Sequence, residues 1–216
     1  MTWMLLGLVL FLGAHSLRVF AEGWRSQQIE RWGEKTFKGL YALVSLAGFV
    51  LLCWGYDLAR STPTVLWAPP VATRHGAALL MLFASVLLVA AYVPGNHLKA
   101  RMRHPMVLSV KVWALAHLLA NGNLEDVILF GTFLLWAVLC FRAARARDRA
   151  ANLAPVVPQM RATLVAVMGG VVLYAVFLFK AHAWLVGVSP LGLGCLLLGD
   201  LFHACDHCDF VAGLSA

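Results

Sequence analysis

The chain has 216 residues, of which 62% are hydrophobic and only 12% charged, and its mean hydropathy is +0.81. A soluble globular domain carries about 45–50% apolar and about 25% charged residues, so a water-soluble fold of this size, which could not hide so much apolar surface, is excluded. The net charge of +7 does not point to nucleic acid, because the basic residues lie in short segments between apolar stretches, the pattern of membrane topology and of anionic lipid headgroups.

Apolar runs follow one another at Trp3 to Phe20, Phe37 to Leu58, Gly76 to Val93, Val107 to Ala120, Leu124 to Phe141 and Thr163 to Val188. A helix needs about 20 residues, with a range of about 17 to 25, to cross the hydrocarbon core. The expected fold is therefore all-α, a polytopic transmembrane bundle of about six helices. The first run has no basic segment before it and a basic flank after it, so it reads as a retained helix and not as a signal peptide. The Val107 run is short and carries Lys111, whose stem can reach toward the headgroups. It pairs with the Leu124 run as a hairpin turned by Asn121, Gly122 and Asn123. Residues 1–191 read as one transmembrane domain and residues 192–216 as a separate tail.

The connections set the expected orientation. Arg18, Arg25, Arg31, Lys35 and Lys38 surround the first connection, Lys99, Arg101 and Arg103 the third, and Arg142, Arg145, Arg147, Arg149 and Arg161 the fifth. The second holds only Arg60 and Arg74, and the fourth Glu125 and Asp126. Basic connections face the cytoplasm, so both termini are expected to face outward, away from it. The second connection also holds Pro63, Trp67, Pro69 and Pro70, which suits an interfacial segment.

Chemistry must come from polar residues inside the apolar runs. His15 is followed one turn later by Arg18 on the same helix face, a ligand beside an anchor for an anionic group. His117 lies six residues beyond Lys111, roughly 9 Å along the helix, and a count from Trp24 and Arg25 places His15 at a comparable depth. Two intramembrane imidazoles at matching depth suit a metal or the iron of a haem, since ionisable residues in the membrane are functional candidates by default. The competing reading is an interhelical hydrogen bond for each, which averages under about 1 kcal/mol in membranes. His104, between Arg103 and Pro105, fits either a contact to a haem propionate or a plain helix start. His75, His97, His182 and Trp184 read as interfacial anchors, and Gly169 and Gly170 as a close-packing site.

The stretch Arg103-His104-Pro105-Met106 followed by Val110-Lys111-Val112-Trp113-Ala114-Leu115-Ala116-His117-Leu118-Leu119-Ala120-Asn121-Gly122 resembles the signature of the NnrU family. Gly13-Ala14-His15-Ser16-Leu17-Arg18 and His182-Ala183-Trp184-Leu185-Val186-Gly187-Val188-Ser189-Pro190 are further matches. The resemblance implies a bacterial inner-membrane protein linked to nitrite and nitric oxide reductase function in denitrification. It also implies a relationship to plant 15-cis-zeta-carotene isomerase, which uses haem b. By that similarity the two haem-ligating histidines fall on His15 and His117. In a haem-binding protein of this kind Arg18 and Arg103 would pair with the propionates, since the planar donor fork of arginine matches a carboxylate. An alternative cysteine ligand of the isomerase falls on Ala114, so the resemblance does not extend to ligand switching.

The tail departs from that pattern. His203, Cys205, His207 and Cys208 are ligand types for zinc or copper, but no second pair at zinc-finger spacing accompanies them, and the tail reads as an accessory segment. Three functions remain open from sequence: a haem-binding membrane protein, a non-enzymatic assembly partner of a respiratory nitrogen-oxide reductase, and an isomerase of a lipophilic polyene. Hydrolase and nucleotide chemistry are disfavoured, as no nucleophile–base pair or phosphate-binding glycine loop is present.

Overall fold

The computed structural model describes residues 1–152, 157–188 and 190. The chain divides into two compact units, Met1–Tyr174 and Ala175–Ala216. In chain order the helices are α1 (Thr2–Phe20), α2 (Glu22–Trp32), α3 (Glu34–Arg60), α4 (Val71–Tyr92), α5 (His97–Met102), α6 (Pro105–Ala120), α7 (Leu124–Ala150), α8 (Met160–Val176) and α9 (His182–Val186), with a π-helical turn at Phe177–Ala181 before α9. Among the described residues five segments are long and apolar enough to cross a membrane: Thr2–Phe20, Glu34–Arg60, Val71–Tyr92, Leu124–Ala150 and Met160–Val186. The 16-residue α6 is shorter, as its sequence indicates. The protein is an all-α, multi-pass membrane protein.

Within the first unit the packing order runs α3, α1, α7, α6, α4, with α7 touching both α1 and α6. Core and surface are inverted relative to a soluble protein. Small residues such as Ala84, Ala90, Ala114, Ala116 and Ala137 are buried, whereas Val9, Leu43 and Leu135 are more than 60% exposed and face the apolar surround. Helices associate in lipid through close packing, and α1 meets α3 on glycines. A Cβ on Gly55 would strike the backbone of Met4, one on Gly7 the backbone of Leu52, and one on Gly48 would lie 2.7 Å from the amide nitrogen of Phe11. Gly170 of α8 is held equally close to Val86 of α4. Between α4 and α6 the hydroxyl of Ser109 donates to the Ala84 carbonyl at 2.7 Å, which satisfies its hydrogen in a place without water.

Two elements differ from the sequence reading. The first connection is helical: Ala21 breaks the chain at φ −138° and ψ 41°, α2 follows, and Gly33 at φ 82° ends it. The polar composition of Glu22–Trp32 has no apolar run to betray it, yet it carries Glu22 in its first turn and Arg31 in its last, as the helix dipole favours. At the α4–α5 corner, Asn96 is fully buried: its Nδ2 donates to the carbonyls of Ala90 and Val93 and its Oδ1 accepts from the Lys99 amide. In the second unit, Gly187 closes α9 at φ 75° with its amide donating to Ala183.

The helix directions place Arg18, Lys99, Arg142 and Arg161 at one end of the first unit, called here the basic end. At the other end the Ser61–Pro70 connection closes on the α6–α7 hairpin. Leu66 and Trp67 donate to the Gly122 carbonyl, Leu124 donates to Thr64, and Val65 bridges Asn123. Overpacking a well-filled contact costs roughly 1–3 kcal/mol. Gly55→Ala should therefore lower the thermal unfolding midpoint in detergent by several degrees, whereas Gly13→Ala, with nothing within 4 Å, should leave it unchanged.

Candidate functional site

His15 and His117 both lie on the faces of α1 and α6 that meet α7, and each is half-buried. Each ring places Nδ1 on the carbonyl one turn back: His15 Nδ1 is 2.7 Å from the Phe11 oxygen, and His117 Nδ1 is 2.9 Å from the Trp113 oxygen. A carbonyl oxygen can only accept, so Nδ1 carries a proton in both rings, and in a neutral ring so oriented Nε2 carries the lone pair. That tautomer is the one in which a histidine offers Nε2 to a metal, with its other nitrogen oriented by a carbonyl.

Aromatic side chains connect the two histidines. His15 contacts Phe11 at 4.4 Å, Tyr41 of α3 at 5.4 Å and the edge of Trp136 at 6.3 Å between ring centroids. His117 stacks on Phe130 at 4.4 Å and lies 5.1 Å from Trp113. Phe133 joins the groups, 6.1 Å from Phe11 and 5.4 Å from Trp113. Along α7 the partners Trp136 and Phe130 are six residues apart, so the two contacts are offset by roughly 9 Å along the helix axis. Side chains lean toward their own helix N-terminus, and α1 and α6 run in opposite directions. The rings accordingly lean toward each other, with Phe133 at the middle level.

The remaining sequence candidates lie elsewhere. Arg18 is exposed one turn beyond His15. At the basic end His104 Nε2 lies 2.9 Å from Asp148 Oδ2, and Arg103 Nη1 lies 4.0 Å from the same oxygen. His104 also occupies the position before α6, with Pro105 in the first turn. His97 contacts the Thr163 hydroxyl through Nδ1 at 2.8 Å, His75 is exposed, and His182 Nδ1 donates to the Val188 carbonyl at 2.7 Å. Among the described residues no three His, Cys, Asp or Glu side chains converge on a metal position. His203, Cys205, His207 and Cys208 lie outside the described residues.

Three features escaped the sequence reading. Trp136 Nε1 and Ser45 Oγ are buried without a hydrogen-bond partner among the described residues. Trp136 sits edge-on to His15, and Ser45 is one turn from Tyr41 on α3. At the opposite end Tyr56 donates to Asp126 Oδ1 at 2.5 Å and Asn123 donates to Oδ2 at 3.1 Å, tying the end of α3 to the start of α7. Glu125, only 1% exposed, has one carboxylate oxygen with no partner among the described residues. The Tyr41, Ser45 and Phe49 spacing of one turn was a usable signal for a shared face of α3, but nothing in the sequence says that this face meets His15.

Residues 3–190 match the family described as NnrU protein. The chain belongs to the NnrU family. No curated protein and no solved structure matches it. Across this NnrU chain the Tyr56–Asp126 bond is the polar tie between distant helices most open to test. Leaving a buried acceptor short of its donor costs about 1–3 kcal/mol, so Tyr56→Phe should lower the unfolding midpoint in detergent, while Tyr92→Phe at an exposed position should not. An unchanged midpoint for Tyr56→Phe would remove that tie from the account.

Proposed function

We propose that this NnrU-family membrane protein holds haem b between His15 and His117. The observation that carries the reading is the shared orientation: both rings donate Nδ1–H to a carbonyl of their own helix, the arrangement by which a ligating histidine is oriented. Two imidazoles are a donor set that would suit haem iron. The rings of Phe11, Phe130, Phe133, Trp113 and Trp136 around the histidines are apolar surface that would keep water from a group held there. Bound there, haem supplies one-electron redox chemistry.

The chain's own residues then position and polarise. Trp136 Nε1 is a buried donor beside His15 that lacks an acceptor among the described residues, as expected where a ligand completes the site. Arg18, exposed one turn from His15, offers a planar donor fork for a propionate. Arg103 and His104 are engaged by Asp148, so a propionate would have to compete with that carboxylate for them. NnrU membership supports a role beside nitrite and nitric oxide reductases in denitrification. The clustering of basic residues at one end supports an inner-membrane orientation with that end in the cytoplasm and both termini periplasmic.

Protein purified in detergent after expression with ample haem should show a Soret band that shifts on reduction, and His15→Ala or His117→Ala should abolish or displace it. His75→Ala should not. A folded, colourless protein that co-purifies with a reductase would replace this reading with an assembly role. For orientation, alkaline phosphatase fused after Pro190 should be active and the same reporter fused after Ala151 silent, because it folds only in an oxidising compartment. The opposite pattern would invert the topology.

A further inference from the structure

The cytoplasmic or periplasmic sense of the basic end does not affect a second feature of α7. Its apolar stretch ends at Phe141, and the helix continues to Ala150. At 1.5 Å per residue those last nine residues extend roughly 13 Å further, whereas the headgroup layer on each side is about 5–7 Å deep. Arg142 and Arg145 therefore stand at headgroup level, and the backbone of Arg149, roughly 12 Å past Phe141, stands outside it, so that Arg149 reaches the layer only by its long side chain turning back. Together with Phe141, Ala143 and Ala146 these arginines line a shallow cleft, open to its surroundings and formed on the surface of α7 alone.

Among the described residues no acid pairs with the guanidinium groups of this face. Asp148, the one acid of this extension, lies one turn from Arg145 and is engaged by His104 at 2.9 Å and Arg103 at 4.0 Å. No carboxylate among the described residues lies within ion-pair distance of Arg142, Arg145 or Arg149. Three guanidinium groups on neighbouring turns repel one another unless an anion sits between them. Below them the same face is apolar: Leu135, Leu139, Arg142, Ala146 and Arg149 recur at helical spacing, and both leucines are exposed, Leu135 at 62% and Leu139 at 37%. One continuous stripe is thus apolar where acyl chains lie and cationic where phosphates lie. A topology signal requires only basic residues near the span, with no common face and no apolar stripe leading to them.

We propose that this face of α7 binds an anionic phospholipid, with its phosphodiester held by Arg142, Arg145 and Arg149 and an acyl chain along Leu135 and Leu139. Arginine forks match phosphate oxygens two at a time, which favours a lodged headgroup over a diffuse ion atmosphere.

Native mass spectrometry of the detergent-purified protein, titrated with phosphatidylglycerol or with phosphatidylcholine of the same chains, tests this. The wild type should retain phosphatidylglycerol in preference to phosphatidylcholine. The triple variant Arg142→Gln, Arg145→Gln, Arg149→Gln should bind phosphatidylglycerol on the order of a hundredfold more weakly, roughly fivefold per charge. A control triple of equal charge, Arg31→Gln, Lys35→Gln, Arg161→Gln, should bind within about twofold of wild type, the scatter allowed for distant independent sites. Equal losses in both triples would overturn the proposal in favour of net charge alone. Equal retention of both lipids would also overturn it, and displacement by inorganic phosphate would reassign the cleft to free anions. Should the first triple aggregate, Arg145→Gln alone carries the test: a roughly fivefold loss supports the site and no loss overturns it.

Discussion

A hydrocarbon surround offers no hydrogen bonds, and the arrangement of this protein follows from that. Backbone groups are satisfied inside helices, and polar side chains within the spans turn to carbonyls or to one another. Ser85 and Thr132 return their hydroxyls to the carbonyl one turn back, Ser109 reaches across to Ala84, and Tyr56 reaches Asp126. The histidines obey the same demand. Each gives its Nδ1–H to the preceding turn, and in a neutral ring this local satisfaction leaves Nε2 with the lone pair. A structural necessity of the bilayer and the orientation of each ring thus arise from a single hydrogen bond.

The same demand makes the exceptions informative. Ser45 Oγ, Trp136 Nε1 and one oxygen of Glu125 are buried without partners among the described residues. Each such group costs about 1–3 kcal/mol, a substantial fraction of a typical folding free energy. Two of the three belong to the His15 neighbourhood, Trp136 by direct contact and Ser45 by its place one turn from Tyr41. The third stands at the far end beside Asp126, whose own oxygens are filled by Tyr56 and Asn123. Polar need is therefore concentrated at two levels of the first unit and not spread along it.

Much of the fold was legible because hydropathy reads membrane spans directly. The runs beginning at Trp3, Phe37, Gly76, Val107, Leu124 and Thr163 correspond to α1, α3, α4, α6, α7 and the Met160–Val186 segment. Helix α2 was not legible, since its polar residues form neither a span nor a strongly apolar stripe. Glu125 and Asp126 were counted as charges of a connection, yet both lie buried in the first turn of α7. A tally of charge carries no information about the face a residue occupies. The candidate histidines were visible as rare polar residues in apolar runs, but their surroundings were not. Tyr41, Trp136 and Phe133 reach them from helices far away in sequence, and only packing shows which face is turned inward.

Packing also explains how histidines on antiparallel helices come to be linked through one set of aromatic side chains. Neither α1 nor α6 positions its ring alone: α1 is held against α3 by contacts that only Gly7, Gly48 and Gly55 permit, and α6 is held against α4 by small residues and the Ser109 bond. Helix α7 lies between the two pairs and supplies Trp136, Phe133 and Phe130 at successive turns. The α1–α3 pair therefore fixes the level of His15 and the α4–α6 pair that of His117, with α7 as the common scale. A disturbance of the glycine contact would shift His15 along that scale while leaving His117 on Phe130. The separation of the two imidazoles is thus set by two independent helix pairs, and their alignment depends on the aromatic turns of the helix they share.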